Sequence, residues 1–248
     1  MDLAKKTMLM AILVATGTLA LDNDVGLTPP MGWSSKQYPS GVTVTQDLVK
    51  SAADYLTYYG MSDLGYQYVN VDDYWATKQR DSNGHIIRDV TKFHDDMSML
   101  SKYVHDKGLK FGIFSSAGSQ TCGGQAGSLL YEQLDAADYA LWKVDYLKYE
   151  NCNGLGIPAL DRFSTMRDAL LKTNRDIFFA MSTQGQEDVL KWGPSVGNSW
   201  TTTVPTENTW MSIKNNFYFN DQSNQAAGPG GWNDPGELQI GRTVLTYA

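Results

Sequence analysis

Asp72-Asp73, Lys148, Glu150 and Cys152 are the residues of this 248-residue chain whose types and placement point most directly to chemistry. Residues 144–152 alternate apolar and β-prone residues like a buried strand, then end abruptly in Lys148, Glu150 and Cys152. A cation, a carboxylate and a cysteine at the C-terminal end of a strand sit where an α/β barrel keeps its reactive groups. Asp72-Asp73 close the β-prone run 66–71 in the same way. Carboxylates on different strand ends can converge on one pocket although they are far apart in sequence. Such a set suits glycoside hydrolysis, in which one carboxylate attacks the anomeric carbon and another handles the proton of the leaving group. It also suits a divalent cation, but His85, His94 and His105 fall in loops or on a helix without ligand spacing, so no metal and no cofactor is assigned. The serines lack a G-x-S-x-G elbow, and no glycine-rich phosphate fingerprint is present.

The elements that must position these residues alternate along the chain. Residues 27–35, 66–71, 109–114, 144–152, 176–181, 197–203 and 230–238 read as strands. Leu48, Ala52, Tyr55, Leu56 and Tyr59 recur at helical spacing over 44–59, closed by Gly60. Leu100, Tyr103 and Val104 mark a helix ending at Lys107-Gly108, and further helices are expected over 129–143 and 157–173. Seven strand–helix repeats with polar strand ends predict a TIM-type (β/α)8 barrel in a single domain, with the eighth strand missing.

A net charge of −7 and a pI near 4.9, with no basic run, argue against nucleic acid or an anionic membrane as partner. The 7 Trp, 14 Tyr and 8 Phe suit a surface that stacks on sugar faces, although cores use the same residues. Lys5 and Lys6 precede an apolar run over 8–21, with Thr18-Leu19-Ala20 as a small-residue cleavage site. Residues 1–20 therefore read as a secretory signal peptide and 21–248 as the catalytic domain, secreted and free of the membrane after cleavage. The chain contains no Asn-x-Ser/Thr sequon, so N-glycosylation is not expected.

Five colinear stretches carry a resemblance: Thr28-Pro29-Pro30-Met31-Gly32-Trp33-Ser34-Ser35, Tyr68-Val69-Asn70-Val71-Asp72-Asp73-Tyr74-Trp75, residues 108–118, residues 144–152, and Gly230-Gly231-Trp232-Asn233-Asp234-Pro235. Together they resemble the signatures of the secreted retaining α-galactosidases of glycoside hydrolase family 27, in fungal or plant form. The resemblance implies a (β/α)8 domain, normally followed by a C-terminal β-sandwich, that removes terminal α-linked galactose from galactosides and oligosaccharides. Asp72, Asp73, Lys148 and Trp33 are then expected to hold the sugar, with Glu150 at the address of the nucleophile. Cys122 and Cys152 correspond to a disulfide tying two active-site loops, a closure worth roughly 3 to 4 kcal/mol for a loop of about thirty residues.

Departures from that pattern bear on catalysis. The family nucleophile is Asp, and the extra methylene of Glu150 moves the attacking oxygen by roughly an ångström, an error that can cost about a hundredfold. At the acid/base address stands Pro205, which has no side-chain proton, and losing general acid catalysis costs about 10² to 10⁴. Glu207 is the nearest substitute acid. Lys36 replaces a second Trp, Phe114 a Tyr, Thr201 an Arg, Ser182-Thr183 a Cys with an acidic or amide residue, and Gly236 an Asp. A second family disulfide is absent, with Tyr74 at one of its positions. Three readings remain open: an impaired α-galactosidase, a catalytically silent galactoside-binding homologue, and a fragment without independent function.

Overall fold

Strands buried on both faces need apolar residues on one side and something to fill the barrel on the other, and this chain supplies both. The computed structural model describes residues 21–37 and 43–237. The leader reading of residues 1–20 and the last position of the seventh strand, Leu238, lie outside the described residues. Seven parallel strands form one sheet in the order β1 (Gly32–Ser34), β2 (Tyr68–Asn70), β5 (Lys110–Ser116), β6 (Tyr146–Glu150), β7 (Phe178–Ser182), β8 (Ser199–Thr201) and β9 (Trp232–Asp234). All seven are the strands expected from the sequence, and the curled sheet with helices outside it is a partial (β/α)8 barrel.

Registered neighbours in a parallel sheet share a face, so the pairing sorts side chains into two sets. Trp33 pairs with Val69, Val69 with Phe111, Leu147 with Phe179, and Met181 with Trp200. This set faces the helices, and all of it except Trp33 is fully or almost fully buried. The other set faces the barrel interior. Tyr146 and Phe178 stack there at 5.1 Å with Tyr68 beside them, forming an aromatic floor. Two residues further along, the interior turns polar at Asn70 and Lys148, beside the small Ala180, and after them come Glu150 and Ser182.

Helices α1 (Gln46–Tyr58), α2 (Met97–His105), α3 (Glu132–Leu141) and α4 (Ala159–Leu171) occupy the expected segments. Thr45 and Asp96 cap the first two by accepting from the backbone N–H of Leu48 and Ser98. Helices α5 (Val189–Val196) and α6 (Trp210–Gln222), and the hairpin β3 (Ala76–Arg80) with β4 (Ile86–Arg88), add to the expected elements. The hairpin is clamped by Arg80, whose guanidinium donates to both oxygens of buried Asp135 on α3 at 2.6 and 2.7 Å. Through Ala126 N–H to Thr77 O it also braces the loop that carries Cys122.

Candidate active site

Lys148 and Glu150, two residues apart on β6, project from the same inner face. Lys148 Nζ donates to Asp72 Oδ2 at 2.9 Å. Asp72 lies two residues beyond the end of β2, and its own N–H donates to Ser35 Oγ at 2.8 Å, which fixes the turn leading out of the strand. Asp73 Oδ1 accepts the N–H of Tyr74, a residue with φ of 71°, and its Oδ2 accepts the N–H of Gly123 at 3.2 Å. Glu150 Oε2 accepts the N–H of the adjoining Cys122, also at 3.2 Å. One loop thus lends consecutive amides to carboxylates from two different strands.

That loop is held by the Cys122–Cys152 disulfide, whose Cα atoms are 5.3 Å apart. Gly118 permits its closeness to the end of β6, since a Cβ there would collide with the Cys152 carbonyl oxygen. Arg162 on α4 supports the same strand end by donating to Asn151 Oδ1 at 2.6 Å. Cys122, Glu150 and Cys152 bring their donor atoms within 4.8 Å of one another, but both sulfurs are bonded together and only a single carboxylate remains to offer a cation.

Charge in the cluster is sorted by burial and pairing. Burial pushes the Asp72 carboxyl up, but Lys148 and Lys36 outweigh it and hold the group below the usual carboxylate range. Burial pulls Lys148 down, and Asp72 with Glu237 overrides it, so its pKa lies well above that of an ordinary lysine. Glu150 is raised, first by burial and then by the nearby Asp72 charge, against the opposing Cys122 N–H and Lys148. Asp73 and Asp234 are raised as well, chiefly by burial. The site therefore combines a firmly charged pair, Asp72 with Lys148, and carboxyls that ionise at higher pH than usual.

Of the residues expected at the site, Asp72, Asp73, Lys148, Glu150, Cys122 and Cys152 come together. Trp33 does not: its register with Val69 turns it toward the helices, where it packs half-buried against the core. Lys36, in the turn after β1, lines the cleft beside Lys148 instead. Pro205 lines that cleft too, in the segment between β8 and α6. Glu207 is exposed and belongs to the turn before α6, where its N–H donates to Ser212 Oγ and its carbonyl accepts from Thr209. Asp234 and Glu237, at and beyond the end of β9, are functional candidates that the sequence reading passed over. The rule that singled out Asp72 and Glu150, a carboxylate at a strand end, would have found Asp234; Glu237, three residues past the end of β9, carries no such signal.

The Melibiase_2 family model, described as alpha galactosidase A, matches residues 28–247. The chain belongs to this family. The alpha-galactosidase of Cyamopsis tetragonoloba is 45% identical over 226 residues, covering 91% of this chain and 55% of the relative. This Melibiase_2 chain spans about half the length of the curated relatives it matches. Among solved structures, a putative alpha-galactosidase/melibiase from Bacteroides fragilis superposes with a TM-score of 0.85 at 40% identity, covering 88% of this chain and 48% of the other. An alpha-galactosidase from Saccharomyces cerevisiae gives 0.83 at 35% identity, covering 92% and 56%, and an alpha-galactosidase from that yeast with raffinose gives 0.82, also at 35%, covering 90% and 55%.

Proposed function

We propose that this Melibiase_2 chain is an α-galactosidase-type glycoside hydrolase of the retaining kind, impaired in general acid catalysis and acting on terminal α-linked galactose. The observation that carries the reading is the charged Asp72–Lys148 pair, 2.9 Å apart, set beside Glu150 at the mouth of a (β/α) barrel. The raffinose complex of the yeast neighbour supports an oligosaccharide as ligand class. Lys148, Asp72 and Asp73 would bind sugar hydroxyls as donor and acceptors. The Glu150 carboxylate would attack the anomeric carbon as the bond to the leaving oxygen breaks, and water would later release the sugar from the resulting ester. Pro205 offers the leaving oxygen no proton, so the leaving group must depart as a stable anion.

Secretion by way of the residue 1–20 leader is part of the same proposal. The disulfide supports an oxidising compartment. Among the described residues no helix is long and apolar enough to cross a membrane.

The test is hydrolysis of an aryl α-galactoside, which needs little protonation, beside an α-galactosyl disaccharide. The aryl substrate should be cleaved by the parent chain and not by Glu150→Ala, and Pro205→Asp should raise turnover of the disaccharide. No turnover of the aryl substrate, with Glu150→Ala indistinguishable from the parent, would sink the hydrolase reading. Pro205 favours the second reading, a galactoside-binding homologue without catalysis. Calorimetric galactose binding that disappears in Asp73→Ala, without turnover, would identify that case.

A further inference from the structure

Lys148 is held from two sides. Asp72 Oδ2 lies 2.9 Å from its Nζ, and Glu237 Oε1 lies 2.5 Å from the same atom. The other carboxylate oxygen of Glu237 is 3.7 Å from Lys36 Nζ. The four charges alternate in sign from the floor of the cleft to its rim. Under the function proposed above, Lys148 donates to the sugar, and an ammonium has only three protons to give. Glu237 accepts one of them from the cleft side.

The size of the cleft is consistent with this occupancy. Lined by Lys36, Lys148, Pro205 and Glu237 among others, it encloses about 50 Å³. Pockets for small ligands begin at roughly 300 Å³. A hexose that is to take a proton from Lys148 needs room beside it, and of the two carboxylates on Lys148 Glu237 is the better placed to give way. It is 26% exposed against 12% for Asp72 and 16% for Lys148, and its outer contact to Lys36 is long and partly solvated, a kind of pair worth little.

We propose that Glu237 is a specificity-determining residue that fills the sugar subsite of the unliganded protein, so that a ligand binds by taking its place on Lys148. The inference rests on the reading of Asp72 and Lys148 as sugar-holding residues. A neutral galactoside then competes with a carboxylate for the ammonium, and its apparent affinity is reduced by the fraction of molecules in which Glu237 has moved away. An acidic sugar competes no better, because the displaced Glu237 stays beside Lys36 and repels it. Glu237 thus selects neutral sugars over acidic ones.

The experiment compares the parent chain with Glu237→Gln and Glu237→Ala in two measurements. One is calorimetric affinity for methyl α-galactoside and for galacturonate. The other is the rate at which acetic anhydride modifies Lys148, followed by peptide mass spectrometry. Both variants should modify faster and bind the galactoside about tenfold more tightly, the factor expected when the displaced contact is worth about 1.4 kcal/mol. Galacturonate should gain more than the neutral sugar, since Lys36 and Lys148 lose their shared counter-charge. An unchanged rate of Lys148 modification in both variants overturns the proposal whatever the sugars do. Faster modification with unchanged or weaker galactoside affinity overturns it too, because Glu237 would then not compete with the sugar. If Lys148 becomes reactive but no form binds either sugar, Glu237 still covers Lys148 and it is the galactoside reading of the site that fails.

Discussion

Replacing both Cys122 and Cys152 by Ser should cost the fold about 3.6 kcal/mol while leaving its native contacts largely intact. The two cysteines are 30 residues apart. The chain-entropy relation for a closed loop of that length gives about 12 cal/mol/K, hence about 3.6 kcal/mol at 25 °C, placed in the unfolded state. The native loop keeps other anchors: Asn153 Nδ2 donates to the carbonyls of Gln120 and Thr121, and Ala126 N–H to Thr77 O. The loss should therefore be close to the entropic value, and in a domain of this size it lowers Tm by about 7 to 14 °C. Urea denaturation of the oxidised parent and the double variant measures it directly. The m-value should rise, because an uncrosslinked chain exposes more surface on unfolding. A difference under about 1 kcal/mol with an unchanged m-value would refute the entropic account and mean that the loop constrains itself without the bridge. A second readout concerns the site. Any loosening of the Cys122 N–H from Glu150 removes the one backbone donor that lowers this raised carboxyl, so its pKa should climb further.

Two more expectations follow from the charge pattern. Because Glu150 ionises above the ordinary glutamate range, turnover of an aryl α-galactoside should have an acid limb above about pH 4.3, the unperturbed value. A limb at or below that value would contradict the burial argument. For stability the signs are opposed. Asp72, depressed by its lysines, contributes stability that is present above its unfolded pKa and lost as pH falls through its folded pKa. Glu150, Asp73 and Asp234 are raised, so the folded state holds protons the unfolded chain has released, and their contribution declines as pH rises through their folded values. Lys148→Met should leave Asp72 and Glu237 facing each other without their cation, at a cost of about 3 to 5 kcal/mol in urea denaturation. A loss below about 1 kcal/mol would show that water already shares the pair.

Most of the barrel strands and helices α1, α2 and α4 were legible from an apolar period bounded by Gly, Pro or a capping residue, whereas α3 buries Glu132, Asp135 and Asp138 and has no side-chain cap at Tyr131. The other elements lacked that signal for physical reasons. Helix α5 has only eight residues and contains Gly193 and Pro194, both poor helix formers. In α6 Trp210, Met211, Phe217, Tyr218 and Phe219 are all exposed and only Asn216 is buried, so its hydrophobic residues mark no inner face. The hairpin Ala76–Arg80 with Ile86–Arg88 owes its place to Arg80 reaching Asp135, a contact no local pattern announces. The site divides the same way. Strand ends named Asp72, Asp73, Lys148 and Glu150. The orientation of Trp33 depended on its register with Val69, where a shift of one residue changes the face. Glu237 could be understood only with its partner Lys148, 89 residues away.

Several of the positions that depart from the expected family pattern, though not Glu150, Phe114 or Tyr74, lie together. Lys36, Pro205 and Gly236 line one cleft with Glu237, and Glu237 connects Lys36 to Lys148. On the opposite side Asp73 keeps its Gly123 amide, Glu150 its Cys122 amide, and the disulfide holds the loop that supplies both. Under the proposed roles the half of the site that attacks the sugar remains assembled, and the half that faces the leaving group has exchanged a proton donor for a proline. A carboxylate nucleophile without an acid opposite it can still form the ester, but the barrier then depends on how well the leaving oxygen bears negative charge unaided. For a sugar alkoxide that charge is prohibitive, and for a phenolate it is not. On the function proposed above, the leaving group at Pro205 would set the substrate range as much as the sugar at Lys148 would.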